Sequence, residues 1–412
     1  MASLRSLVPL LTAAAILLAG NGLIGTAIAL RATQEGFSPI VIGLLGAAYF
    51  CGFIASCFFA AKLIRAVGHI RVFTALSAIA TVSVLCLILV IDPIAWTIAR
   101  FVMGFCFAGL FMVVESWINA SVHNDDRGRV LSIYRIVDLS AVTSTQFLLP
   151  IIGTDGPNLF IVIGMFLCLS MVPISLSDRS RPQPPEQVKL DLRAVWMISP
   201  LACIGATTIG LTNSAFRLVG PLYANEMGLD VTEVATFMSA GILGGAALQY
   251  PMGYLSDRLD RRLILLIATM GAAASGMFLG GITGENPLLI YMGIFMFGAF
   301  ALPLFSLSAA HANDRAHDGQ YVLVSAGLML FFSIGAAVGP LIASWVIEKY
   351  GASAFFTYTS IVHASLIGPL IWRYIVNPRV MGRTRYVALL RTSPAIFKMA
   401  QKPERKENPG KT

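Results

Sequence analysis

The sequence predicts an all-α integral membrane protein with twelve transmembrane helices in two pseudo-symmetric six-helix bundles. Three observations lead there. Of 412 residues, 57% are hydrophobic and 12% are charged, whereas a soluble domain averages roughly 25% charged. Apolar runs of about 20 residues, enough to cross a bilayer, recur from end to end. The chain also resembles itself: sliding it so that Asn21 meets Asn213 brings Gly36 onto Gly228 and Gly52 onto Gly244 without a gap. A repeat near half the chain length means two copies of one unit.

Taken in order, the first bundle's spans fall roughly at 7–30, 39–61, 72–91, 95–118, 130–152 and 158–177. The second bundle's fall roughly at 194–222, 232–254, 263–283, 287–311, 321–347 and 354–376. The first run is too long for the apolar region of a signal peptide, and Ala27-Ile28-Ala29 is a poor cleavage site, so it reads as a retained span. The N-terminal bundle then covers 1–177 and the C-terminal bundle 194–376. Between them, 178–193 is rich in proline and mixed charge and reads as a cytoplasmic linker. Residues 377–412 form a basic tail. Within it, Tyr386 to Ala400 carries apolar residues at near-helical spacing, interrupted by Pro394, and reads either as a surface helix on an anionic leaflet or as disorder.

The charges sort the two sides. With spans alternating from the N-terminus, 24 of the 29 Lys and Arg residues fall on the side of the termini. Two, Arg31 and Lys349, fall on the other side, and Arg100, Arg135 and Arg217 lie within spans. This asymmetry is the positive-inside pattern and predicts cytoplasmic termini in a plasma or inner membrane. It accounts for the net charge of +8 without a nucleic-acid partner. The six cysteines fall inside apolar runs with no metal-ligand spacing, so no metal site or disulfide framework is indicated and they are expected to pack as small buried hydrophobes. Closely spaced glycine and alanine, as in Gly241, Gly244 and Gly245 or Gly335 to Gly339, suit tight helix packing in lipid.

The most informative segment is Gly253-Tyr254-Leu255-Ser256-Asp257-Arg258-Leu259-Asp260-Arg261-Arg262, in the loop after the second span of the second half. Its counterpart in the first half is degenerate, with Ala61 for Gly253 and Arg65 for Asp257, although Gly68 and Arg71 persist. With twelve spans and two homologous halves, these residues resemble the major facilitator superfamily. The loop signature of that family is matched at Gly253, Asp257, Arg258 and Arg262, with Asp260 in place of a second glycine. Arg100-Phe101-Val102-Met103-Gly104 resembles the family's Arg-x-x-x-Gly element. The end of span 4, Val113-Val114-Glu115-Ser116, followed by Arg127-Gly128-Arg129, is similar to the YcaD-like branch.

The resemblance implies a transporter in which two bundles rock about a midplane site. It implies that Gly253, Asp257, Arg258, Arg261 and Arg262 form a conformational latch. Asp257 would receive the start of span 5, near Gly128 to Ser132, whose helix N-terminus attracts a carboxylate. The alternative is an ordinary charged turn that sets topology.

Ionisable and amide groups inside spans are costly and normally face a cavity or a partner. Asn21 and Asn213, at repeat-equivalent places, are expected to line the cavity that the family forms between spans 1 and 7. Arg100 and Arg217 are further cavity candidates, each with snorkelling to the interface as the alternative. Glu115, Arg135 and Asp138 form a charge cluster that either pairs structurally or couples transport to protons. Glu115 is in position to pair with Arg135, and Arg135 with Asp138 one turn on. His311 and His363 are isolated.

No phosphate-binding loop, dinucleotide fingerprint, zinc-protease helix or nucleophile elbow occurs in the chain. The expectation is therefore a non-enzymatic secondary transporter without cofactor or metal. It would move a small-molecule substrate through the lipid bilayer as a monomer, with protons as the candidate coupling ion. Gly335, Gly339 and Pro340 resemble part of an antiporter signature and tilt the expectation to efflux. The alternatives are uptake of an anion or zwitterion and a non-transporting sensor on the same scaffold.

Overall fold

In the computed structural model, the described residues are 2–122, 127–176, 191–282, 286–317, 320–376 and Tyr386. The linker expected at 178–193 lies outside them up to 190, as does the tail apart from Tyr386. Sixteen helices fill the rest. In the first half these are α1 (Ala2–Gln34), α2 (Pro39–Val67), α3 (His69–Leu89), α4 (Pro93–Ser121), α5 (Arg127–Gln146), α6 (Leu148–Ile152), α7 (Asn158–Leu169) and α8 (Met171–Ser175). The second half holds α9 (Leu192–Ile198), α10 (Pro200–Glu226), α11 (Val231–Arg258), α12 (Arg261–Gly280), α13 (Pro287–Ala301), α14 (Leu304–Asn313), α15 (Tyr321–Tyr350) and α16 (Ala354–Val376).

Eleven helical stretches are long and apolar enough to cross a bilayer, and the bent pair α9–α10 makes a twelfth. Spans 5, 6 and 10 are each broken once, giving α5–α6, α7–α8 and α13–α14. Span 7 departs from expectation. The sequence suggests one helix over 194–222, but α9 and α10 meet at 112°. Proline disfavours the helical conformation in the residue before it, and Ser199 sits at ψ 86° just ahead of Pro200. The Ser199 hydroxyl then accepts the N–H of Ala202 and starts a new helix.

Capping chemistry writes most of the other starts. Pro39, Pro93 and Pro287 follow Ser38, Asp92 and Asn286, whose side chains accept backbone N–H groups of the first turn. Asp230 and Glu233 make a reciprocal capping box at α11.

The repeat seen in sequence is a repeat of hydrogen bonds. Gly36 and Gly228 have φ of 75° and 84°, a conformation that favours glycine. Each ends its helix with the same two bonds, Gly36 N–H to Thr33 and Phe37 N–H to Ala32, against Gly228 N–H to Asn225 and Leu229 N–H to Ala224. Gly52 and Gly104 bring α2 and α4 into backbone contact, since a Cβ on either would fall on the carbonyl of Phe101 or Tyr49. Gly244 and Gly298 do the same for α11 and α13 against Phe295 and Gly241. Gly335 and Gly339 seat α15 on the carbonyls of Thr207 and Leu211 in α10.

Large apolar side chains such as Leu89, Ile98, Ile151 and Leu288 project from the outside of the bundle, as a lipid-facing surface requires. All six cysteines are free, but Cys51, Cys86 and Cys168 face outward with that surface while Cys106 and Cys203 are buried. The expectation of uniformly buried thiols is corrected accordingly, because an apolar run in a membrane helix has a lipid face as well as a core face.

The halves meet through α2 with α15, α1 with α10, and α5 with α11. At the end opposite the termini the seal is close. Ile40 N–H donates to Glu348 Oε2 at 3.1 Å, Gly43 lies against Pro340 and Ser344, and Gly25 lies against the backbone of Arg217.

Candidate functional site

A cavity of about 170 Å³ lies between the halves, room for several waters. Helical periodicity explains which residues reach it. α1 contributes Leu18, Asn21, Gly22, Gly25 and Thr26, and α5 contributes Arg135, Asp138, Leu139, Val142 and Gln146. Each set recurs at three- to four-residue intervals, single or in adjacent pairs, and so forms one helix stripe. From the second half α10 presents Asn213, Phe216 and Arg217, and α11 presents Met238 and Ile242. Tyr49, Phe50, Phe53, Phe111, Leu302 and Phe332 make up the aromatic and apolar remainder.

Asn21 and Asn213 therefore face one another's half across a shared space. Arg217 is exposed on the cavity wall, and no described residue makes a hydrogen bond or ion pair with its guanidinium. Arg135 pairs with Asp138 at 3.1 Å. Its Nη2 also donates to Gln249 Oε1 at 2.7 Å, crossing from α5 to α11, and Gln249 Nε2 donates to Ser306 at 3.4 Å. Arg135 thus takes Asp138 and Gln249 in place of the suggested Glu115. Glu115 is fully buried in α4, outside the cavity lining, beside Ser116, whose hydroxyl meets His69 Nε2 at 3.0 Å.

Arg100 lies behind the wall. Its guanidinium stacks 4.4 Å from the Tyr49 ring centre and its Nε donates to the Leu45 carbonyl at 3.3 Å. Tyr49 presents the other side of that arrangement to the cavity. Tyr49, Thr26 and Gln146 are cavity-lining residues that inspection of charges passes over. Thr26 donates to Gln146 at 3.0 Å and Gln146 donates to the Gly22 carbonyl at 2.8 Å, tying α5 to α1. For Thr26 and Gln146 the signal in sequence is polarity within the apolar spans that also carry Asn21 and Asp138.

At the end of the termini, the 253–262 segment spans the end of α11 and the start of α12. Arg258 stacks on Tyr254 at 4.1 Å. Arg261 donates to Asp314 at 2.6 Å and to Ser256 at 3.0 Å, and lies 3.3 Å from Asp257. Arg262 is held by Asp260 at 2.8 Å and donates to the Arg373 carbonyl at 2.8 Å. Nearby, burial holds the Arg315 guanidinium below its ordinary value, with repulsion from Arg262 adding to it and Asp314 opposing it. Asp257 accepts its bonds from the backbone N–H of Tyr386, at 2.8 and 3.1 Å, where the start of α5 was the expected partner.

The two folded halves agree with the matches to known proteins. The family model of the Major Facilitator Superfamily matches residues 10–201 and again 202–402. An uncharacterized MFS-type transporter of Yersinia pestis (strain Pestoides F) is 23% identical over 320 residues, covering 76% of this chain and 82% of the relative. The uncharacterized MFS-type transporter YcaD of Escherichia fergusonii is 22% identical over 354 residues, covering 85% and 91%. Among solved structures, the nucleoside transporter NupG superposes with a TM-score of 0.78 at 10% identity, over 90% of this chain and 100% of that one. A bacterial homolog of the human lysosomal transporter Spinster, inward-facing and occupied, superposes with a TM-score of 0.71 at 13% identity, over 96% of each chain. The chain belongs to the Major Facilitator Superfamily and is a multi-pass membrane transporter related in sequence to YcaD.

Proposed function

We propose that the chain is a secondary active transporter that carries a small organic anion or zwitterion by alternating access, with its termini in the cytoplasm. One observation carries the substrate class: Arg217 faces the cavity with no described partner, while the other cavity cation, Arg135, is paired with Asp138. A guanidinium on a cavity wall recognises carboxylate or phosphate with bidentate geometry. Phe53, Phe111, Phe216 and Met238 on the same walls suit a solute with an apolar body.

The seal at Ile40–Glu348 and Gly25–Arg217, opposite the basic end, supports an inward-facing conformation. The excess of basic residues at the termini's end supports that orientation. Asp138, a cavity carboxylate bonded to the inter-half arginine, is the group best placed to couple a proton, since its protonation weakens the Arg135 pair. Gly335, Gly339 and Pro340 pack α15 against α10 and α2, so direction is to be read from flux.

The test is thermal stabilisation of the purified protein by organic anions, each with a neutral and a cationic analogue of equal size, followed by counterflow in proteoliposomes. Anions should stabilise the protein and exchange across vesicles, and Arg217→Gln should weaken both by about 10-fold or more, given roughly 1.5–3 kcal/mol for a hydrogen bond to a charged group. Equal stabilisation by neutral analogues, unchanged in Arg217→Gln, would reject the anion reading. Absence of counterflow for every stabilising ligand would reject transport.

A further inference from the structure

The duplicated halves differ at two repeat-equivalent places, and both differences bear on the cavity. Under the offset that sets Asn21 on Asn213, Arg217 falls on Gly25 and Tyr49 falls on Gly241. The second half thus carries a large donor where the first has glycine, and the first carries one where the second has glycine. Arg217 and Tyr49 both line the cavity, from α10 and α2.

Tyr49 is held in place on several sides. α4 lies against its carbonyl, where a Cβ on Gly104 would fall, and the Arg100 guanidinium covers its ring at 4.4 Å. The rings of Phe50 and Phe107 stand 5.2 and 6.3 Å from its own. Only 9% of the residue is exposed, and it opens on the cavity. A buried phenol normally finds a hydrogen-bond partner. The Tyr49 hydroxyl is not sealed in the core as those of Tyr223 and Tyr358 are, yet no described residue bonds to it. Two cations act on it electrostatically, Arg100 from the ring face and Arg217 from the other half.

We propose that Tyr49 is a specificity-determining residue: its hydroxyl donates to the same anionic group that Arg217 holds, so that a carboxylate bridges α2 of one half and α10 of the other. This rests on the anion reading above and deepens it. A carboxylate offers two oxygens with about four acceptor sites, enough for a guanidinium and a phenol together. A primary amide offers one acceptor oxygen and no charge. Arg100 over the ring favours the negative charge that develops on a phenol oxygen as it donates, and so supports the bond without touching the solute.

Apparent affinities come from thermal-shift titrations of the full chain with benzoate, 3-phenylpropionate and octanoate, each beside its primary amide. Tyr49→Phe keeps the ring and removes no hydrogen bond to a described residue, so its unliganded melting temperature should match the parent's. It should bind the carboxylates about 10-fold more weakly, as for loss of one hydrogen bond to a charged group, and the amides within about twofold of the parent. Combined with Arg217→Gln, the loss should fall short of the product of the two separate losses, because both residues act on one group. If Arg217→Gln weakens the carboxylates and Tyr49→Phe does not, this proposal falls and the anion reading stands. Equal losses for carboxylates and amides in Tyr49→Phe, or a double variant that reaches the full product, also overturn it. If no carboxylate stabilises the parent, or neither substitution changes affinity, both readings fall.

Discussion

Arg135 and Gln249 join the two halves of the transporter by one hydrogen bond of 2.7 Å beside the cavity. The donor is charged and the acceptor is a buried amide in the opposite bundle, so this bond resists separation of α5 from α11. It also ties the cavity's only described internal ion pair, Arg135–Asp138, to the inter-half contact.

Removing the acceptor should therefore loosen that contact. Gln249→Ala is expected to remove about 1.5–3 kcal/mol of inter-half stabilisation. Transport should accelerate if separation of α5 from α11 limits the cycle, while the melting temperature falls by a few degrees. Gln249→Glu should do the reverse, as an ion pair replaces the amide. Equal rates and equal melting curves for all three proteins would show that the bond carries no such role.

Asp138→Asn tests proton coupling at the same place. The variant should still exchange solute in counterflow, because the cavity keeps its shape and Arg217. It should lose accumulation driven by an imposed pH gradient, because the amide takes up no proton. Gradient-driven accumulation at the parent level in Asp138→Asn would remove this residue from the coupling step.

Arg100 and Arg217 should separate by phenotype, although both are arginines within the membrane. Arg100 is buried against Tyr49, so Arg100→Lys gives up a stacking contact of about 0.5–2 kcal/mol and buries a strongly hydrated ammonium. The expected result is a lower melting temperature with solute affinity within about twofold of the parent, a difference below roughly 0.5 kcal/mol. Arg217→Gln should show the opposite pattern. Ligand titrations and melting curves on the two variants decide it.

Glycine substitutions report on packing. Gly52→Ala places a methyl on the Phe101 carbonyl, and Gly244→Ala places one on that of Phe295. Overpacking of this kind costs about 1–3 kcal/mol. Gly368→Ala, where a Cβ meets nothing within 4 Å, should stay within about 0.5 kcal/mol. Thermal unfolding in detergent would measure all three, and equal stabilities would contradict the close backbone approach.

Much of the fold is legible in the chain because its rules are local. A bilayer asks for about 20 apolar residues per crossing, and Ser38-Pro39, Asp92-Pro93 and Asn286-Pro287 state where helices begin. Gly36 and Gly228 state where two of them end. The most sharply bent span, 194–222, shows how a single local rule can be outweighed: hydropathy runs on through Ser199-Pro200, and the backbone does not. That Asn21, Asn213 and Arg217 line the cavity is legible because polarity inside an apolar run is itself a signal. Arg100 carries the same signal and lies behind Tyr49, since hydropathy says that a charge needs a partner and is silent on whether that partner is solute or ring.

By itself the sequence determines the solvent, the number of crossings, the sided distribution of charge and the duplication, all properties of short segments and of composition. Tertiary structure alone decides which stripe of each helix faces the cavity. It also decides that Arg135 pairs with Asp138 and Gln249 in place of Glu115, and that Asp257 is taken by Tyr386, 129 residues away. The physical reason is the same in each case. A hydrogen bond depends on the rotation and tilt of two helices to within an ångström, and packing of the whole bundle sets those, whereas crossing a membrane depends only on how apolar a segment is.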